Sequence, residues 1–239
     1  MYQTFLKPLF QDIKTFVFDT LFPITCVVCA SEGEFLCITC RSQLKPLEHQ
    51  QCIACQKPSP FGLTHPRCQS PHEADGLISF YDYHDQKVKD AIIAGKYQFL
   101  PKVFSILGLL IAKKLETNQF PLDCPILVPL PLAKPRLRWR GFNQAEILCQ
   151  YLSKQFNWPI MQALRRIRST KVQKDLKKRE DRRKNMSGAF ALSNHIDIDN
   201  RSIILVDDVT TTGSTLRQAA KVLKRNGAKS VWCLTVARD

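Results

Sequence analysis

Several things are missing from this sequence, and each absence narrows the reading. No run of 18 apolar residues occurs in the 239-residue chain, so no membrane-spanning helix is expected. No small-residue cleavage site follows the Phe- and Leu-rich stretch Phe5 to Phe22, which Lys7, Asp12, Lys14 and Asp19 interrupt. Residues 1–22 therefore read as an amphipathic helix, not a secretory signal, and the cytoplasm is the expected compartment. Repeats and low-complexity tracts are absent too, while apolar residues make up 44%; that share supports a packed core and argues against global disorder.

Acidic residues are also in deficit, with 21 against 35 Lys and Arg, a formal charge of +14. The imbalance is local. Arg165 to Lys184 holds eleven basic residues and three acidic ones, and Lys134 to Arg140 holds four basic residues and no acid. Such clustering points to anionic partners, either the phosphates of a small ligand or a nucleic-acid backbone. The plainer alternative is a solvated charged face.

Cysteine is plentiful and unevenly placed. Seven of the ten lie between Cys26 and Cys68. Cys26 and Cys29 form one two-residue-spaced knuckle, Cys37 and Cys40 the next, Cys52 and Cys55 a third, and His65 with Cys68 a fourth. Four soft ligands close a structural zinc site, so eight ligands suit one or two zinc ions. Proximity assigns Cys26, Cys29, Cys37 and Cys40 to the first, and Cys52, Cys55, His65 and Cys68 to the second. The alternatives are plain surface cysteines and disulfides, the latter needing an oxidising compartment that nothing here suggests. A module of this size buries too little surface to fold without help, so the metal is expected to be structural. Cys124, Cys149 and Cys233 stand in apolar surroundings and read as inert buried thiols.

Beyond the linker Gln69 to Glu73, strand and helix signals alternate. Strands are expected at Leu77–Tyr83, Ile126–Leu130, Gly188–Leu192, Ser202–Val206 and Ser230–Val236. Helices are expected at Gln86–Gly95, Pro101–Asn118, after an Asn143 cap to about Phe156, and at Gly213–Arg225. This order predicts an α/β fold with a mainly parallel sheet and helices on both faces. The domain plan is then a helix at 1–22, a zinc-ribbon module at 23–72 and an α/β domain at 73–239.

The most informative run is Ile203 to Thr215. An apolar strand, Ile203 to Val206, is expected to end at Asp207 and Asp208. Then Val209 and Thr210, Thr211, Thr212, Gly213, Ser214 and Thr215 turn into a helix. A loop entering a helix N-terminus directs backbone N–H groups at one spot, which suits a phosphate. Gly213 permits close backbone approach, and the hydroxyls add hydrogen bonds to phosphate oxygens. The two carboxylates suit sugar hydroxyls, and one or both help hold Mg²⁺ with a pyrophosphate. The alternative is a Thr-rich helix cap behind an acidic strand end.

This run resembles the signature of type I phosphoribosyltransferases. Ile126 to Pro131, Arg136, Arg138, Arg140 to Ala145, Leu164–Arg165, Thr170, Gln173, Leu176, Arg179, Arg182, Asn185 and Gly188 to Phe190, with Gly95 to Tyr97 and the knuckles, resemble the ComF competence proteins and their GntX-like relatives. The resemblance implies binding of 5-phosphoribosyl-1-pyrophosphate, or a related nucleotide, with Mg²⁺. Asp207 and Asp208 then match the ribose-binding, catalytic acids, and Thr211 to Thr215 the 5′-phosphate loop. Pro129, Leu130 and Pro131 match the pyrophosphate loop, backed by Arg136, Arg138 and Arg140. Arg165 to Asn185 matches the loop that closes over the site.

Purine-salvage members carry an acid where this chain has Thr211, so a purine handled by such an acid is disfavoured. No other base stands out; His84 reads as a surface histidine. The resemblance also implies cytoplasmic handling of incoming single-stranded DNA during natural transformation, with a competence helicase or recombination-mediator partner. The basic segments fit that, but aromatic stacking partners among them are few, Trp139 and Phe142 only. The alternative is phosphoribosyl transfer to an unidentified acceptor without DNA contact.

Overall fold

The computed structural model describes residues 23–117, 122, 124–167 and 188–239. The helix expected at 1–22 lies outside them, as does most of the basic run from Arg168 onward, with Thr170, Gln173, Leu176, Arg179, Arg182 and Asn185. The chain divides into two compact units, Met1–Leu44 and Lys45–Asp239.

In the first unit, Thr25 and Glu32 form an antiparallel bridge, and a short helix α1 spans Ile38–Ser42. Leu36 is fully buried, with Cys26 and Cys40 nearly so.

In the second unit the elements run β1 (Gly76–Asp82), α2 (Gln86–Tyr97), α3 (Pro101–Thr117), β2 (Ile126–Pro129), α4 (Lys134–Arg140), α5 (Gln144–Phe156), β3 (Leu164–Arg166), β4 (Phe190–Leu192), β5 (Ser202–Thr210), α6 (Ser214–Arg225) and β6 (Ser230–Arg238). Four strands form a sheet in the order β1-β6-β5-β2, and every pairing in it is parallel. β3 and β4 pair separately and antiparallel. Alternation along β5 explains the two-sided burial. Ile203 and Leu205 join Leu77, Val128, Val231 and Cys233 against Leu216, Ala219, Ala220 and Leu223 of α6. Ile204 and Val206 are equally buried and point the other way, toward the face where α5 packs on β2 and β5 and α3 packs on α5.

The division at Leu44 falls inside the span 23–72 that the sequence suggested as one module. Backbone pairing supplies the reason. The segment after Leu44 runs along the open edge of β1: Asp82 N–H donates to Lys45 at 3.1 Å and Leu47 N–H to Phe80 at 3.0 Å. The Gln50 side chain exchanges two hydrogen bonds with the Ser79 backbone, at 2.7 and 3.0 Å. This segment covers an edge strand that would otherwise expose unpaired donors and acceptors.

Two expectations are corrected. β5 does not end before the acid pair. It continues to Thr210, because β6 keeps pairing with it through Asp207–Thr235, Val209–Ala237 and Thr210–Arg238. Only the β2 side stops, at Pro129–Val206. Among the three isolated cysteines, Cys149 and Cys233 are fully buried as expected, whereas Cys124 is exposed in the approach to β2.

Candidate phosphate-loop site and metal centres

The long register of β5 on β6 carries Asp207 and Asp208 beyond the last residue of β2. Their side chains therefore stand at the carboxyl end of the sheet, where parallel α/β folds place ligands. Val209 N–H donates to Asp208 Oδ1 at 2.7 Å, and Asp208 N–H to Asp207 Oδ1 at 2.8 Å. These bonds fix both carboxylates locally.

Gly213 sits at φ 72° and is the N-cap of α6. The left-handed turn there reverses the chain from strand into helix, which a Cβ would oppose. Ser214 N–H and Thr212 Oγ1 are 3.4 Å apart, and Thr212 Oγ1 lies 3.1 Å from Ser214 Oγ. The N–H groups of Thr212 and Gly213 take no acceptor among the described residues. Open amides at the positive end of a helix are an arrangement that suits an anion. Thr210, by contrast, is buried as the last residue of β5, and its carbonyl accepts from Asp239 N–H at 2.9 Å; it supports the loop from below.

Basic groups close around the acids. Lys96 Nζ lies 2.9 Å from Asp208 Oδ2, both largely buried. Arg140, 8% exposed, donates from Nε to the Lys96 carbonyl at 3.2 Å. Its guanidinium rests near the rings of Tyr97 and Trp139, at 5.8 and 6.0 Å. Burial pulls the Arg140 pKa down, while Asp208 and Asp207 push it back up. Arg166 of β3 stacks over Phe190 at 5.5 Å and feels both Arg136 and Asp207. Burial first, then the Asp208 charge, push the Asp207 acid up from 3.8 to about 7, against the opposing pull of Lys96 and Arg166.

The candidate arginines separate. Arg136 and Arg140 are four residues apart on α4 and share a side. Arg138 lies between them and is exposed. Leu130 and Pro129 stand at the sheet end: Leu130 N–H donates to Val206 at 2.9 Å, and Asn143 Nδ2 to the Leu130 carbonyl at 3.1 Å. Lys96 and Arg166 are the residues that sequence reasoning did not single out. Lys96 lay unassigned within Gly95 to Tyr97, and Arg166 within a run of eleven basic residues. His84 is exposed and bonded to Asp82, as its surface reading expects.

The metal ligands converge as paired. Within each of the two quartets the candidate atoms all lie within 4.8 Å of one another. Cys29 Sγ and Cys37 Sγ are 3.7 Å apart, against roughly 3.8 Å for two sulfurs at tetrahedral Zn–S lengths. The Cys37 N–H points at the Cys26 sulfur at 3.4 Å, and the Cys40 N–H points at the Cys37 sulfur at 3.5 Å, which lowers the Cys37 thiol pKa. In the second quartet His65 Nδ1 lies 3.3 Å from Cys55 Sγ, and Nε2 donates to the Pro58 carbonyl at 3.1 Å. A proton fixed on Nε2 leaves Nδ1 free as a ligand. Both donor sets therefore fit zinc.

Comparison with known proteins agrees with this geometry. A double zinc ribbon model matches residues 17–69, and a phosphoribosyl transferase domain model matches residues 140–239. The chain is 40% identical to the DNA utilization protein YhgH of Salmonella typhi over 176 residues, 70% of this chain and 75% of that one. It is 28% identical to Competence protein F of Haemophilus influenzae, over 85% of this chain and 97% of that one.

The chain belongs to the ComF family.

The YhgH protein of Escherichia coli is 42% identical over 134 residues, spanning 54% of this chain and 56% of that protein. This ComF-family chain thus pairs a type I phosphoribosyltransferase-like fold with zinc-ribbon knuckles.

Proposed function

We propose that this competence-related, phosphoribosyltransferase-like protein binds 5-phosphoribosyl-1-pyrophosphate with Mg²⁺ at the carboxyl end of its sheet. One observation carries the reading: two unpaired amides lie just before α6, closely following in sequence an acid pair that Lys96 contacts directly and whose charge Arg140 and Arg166 feel. The amides and the Thr211 to Thr215 hydroxyls suit the 5′-phosphate. Asp207 and Asp208 suit the ribose hydroxyls and Mg²⁺, which supplies charge neutralisation at the pyrophosphate when bound. Arg136, Arg140 and Arg166 face the anionic remainder, beside Pro129 and Leu130. Lys96 now occupies Asp208, so it must release that carboxylate for Mg²⁺ or ribose. Thr211 offers no acid for a purine, which supports ligand binding more than purine transfer.

The experiment is thermal unfolding with and without Mg²⁺ and phosphoribosyl pyrophosphate at millimolar concentration. At a hundredfold excess over Kd, stabilisation of about 2.7 kcal/mol is expected. Asp207→Ala should abolish the magnesium-dependent part. A wild-type protein that shows no shift at all defeats the reading.

We further propose that the same chain handles single-stranded DNA. The structure changes which aromatics serve that reading. Phe142 is half-buried and packs near Phe104 at 6.3 Å. Trp139 instead clusters with Tyr97 and Phe99, at 5.9 and 4.9 Å, and all three are about half exposed. Exposed rings beside Arg138 suit stacked bases on a charged backbone track.

A further inference from the structure

We infer that the second metal knuckle is part of the phosphate-loop site: Ile53 and Gln56, held by the Cys52, Cys55, His65 and Cys68 centre, are positioning residues for Thr211 to Gly213. This rests on the reading of that loop as a phosphate binder, but the contacts that support it are independent of any ligand.

Ile53 is fully buried between the knuckle cysteines and belongs to the same apolar cluster as Leu216 and Ala219 of α6. Its main chain lies directly against the loop. A Cβ added at Gly213 would stand 2.9 Å from Ile53 Cγ1 and 3.1 Å from the Ile53 carbonyl oxygen. Gly213 is therefore required twice, by its own φ of 72° and by the knuckle pressed against it. On the far side of the turn, Gln56 Nε2 donates to the Thr211 carbonyl at 3.3 Å. Gln56 itself has φ 64°, and its N–H donates to the Cys52 carbonyl at 2.9 Å. Its position thus follows from the knuckle turn that brings Cys52 and Cys55 together.

The knuckle is also tied to the sheet beneath the loop. Arg238, nearly buried at the end of β6, donates to the Gln51 carbonyl at 3.1 Å. Arg217, in the first turn of α6, forms an ion pair with Glu73 just beyond the cysteine segment. A loop of this kind has few intrinsic constraints, and its open amides must be aimed before the ligand arrives. The knuckle supplies that aim, and a metal ion fixes the knuckle. By reciprocity, whatever the metal contributes to ligand binding, the ligand returns to metal retention.

The test compares wild type with Gln56→Ala and Cys55→Ser, using zinc analysis, hydrogen exchange of the peptide covering Thr211 to Thr215, and calorimetry with phosphoribosyl pyrophosphate. Gln56→Ala should keep the wild-type zinc content and lose only about 2–4 °C of unfolding temperature, while exchange in the loop quickens. Its affinity should fall about fivefold, the effect of one side-chain hydrogen bond. Cys55→Ser should lose one zinc and show a larger increase in loop exchange. Unchanged loop exchange in Gln56→Ala and Cys55→Ser overturns the inference, whatever the ligand does. A wild type that fails to bind the ligand while loop exchange still responds overturns the ligand reading instead and leaves the coupling standing.

Discussion

Asp207 is a carboxylic acid placed where it is least comfortable. Burial and the Asp208 charge raise its folded pKa to about 7 from an ordinary 3.8. The folded state therefore holds its proton more tightly than the unfolded chain, so this group lowers stability as pH rises from about 4 through 7. Asp207→Asn should flatten that slope and raise the unfolding temperature of the ligand-free protein at pH 8 more than at pH 5. Equal shifts at both pH values would show that the acid is not strained. The same variant should lose magnesium-dependent ligand stabilisation, the usual exchange of stability for function at a site. Both acids were visible in the sequence as a pair after an apolar strand. Their partners were not, because Lys96 is 112 positions from Asp208 in sequence and 2.9 Å away in space.

At the scale of elements, the β5–α6 turn carries two separable demands. Gly213→Ala should cost about 1–2 kcal/mol from the left-handed backbone alone, and more from contact with Ile53; chemical denaturation measures it. A Gly213→Ala protein as stable as wild type would mean that the turn relaxes freely. The second metal centre makes its own prediction. His65→Ala should reduce bound zinc by one ion, whereas His65→Cys should retain it, because a fourth thiolate completes a tetrahedral site. Metal analysis by mass spectrometry decides between them. Knuckle spacing was legible from sequence, since two residues between ligands is a local property. That residues 45–64 cover the open edge of β1 was not, since backbone pairing such as Asp82 to Lys45 leaves no side-chain signature.

Across the whole molecule, the charge of +14 sets a long-range attraction for polyanions that salt should weaken. If single strands bind across Trp139, then Trp139→Ala should weaken binding by about 1–3 kcal/mol with the salt slope unchanged, the effect of one lost stacking partner. Substituting Arg138 with Ala should instead reduce the slope by roughly one. Fluorescence anisotropy with an unlabelled competitor gives both numbers. A Trp139→Ala protein with wild-type affinity would remove the aromatic cluster from the DNA reading.

The sequence alone determined whatever depends on near neighbours: the metal pairs, the alternation of strands and helices, the acid pair, and the glycine that lets β5 turn into α6. Each is a local pattern with a local cause, namely ligand reach, side-chain periodicity or backbone freedom. Only the tertiary structure decided how far β5 extends, because its last residues are held by β6 and not by their own propensity. Only folding could bury Arg140 near the acids while leaving Arg138 exposed, or bring Lys96 and Arg166 within reach of the same acid pair. And only packing could set Ile53 beneath Gly213, across 160 positions of chain. Contact between distant segments is decided by complementary shape and buried area, which no short stretch of residues carries by itself.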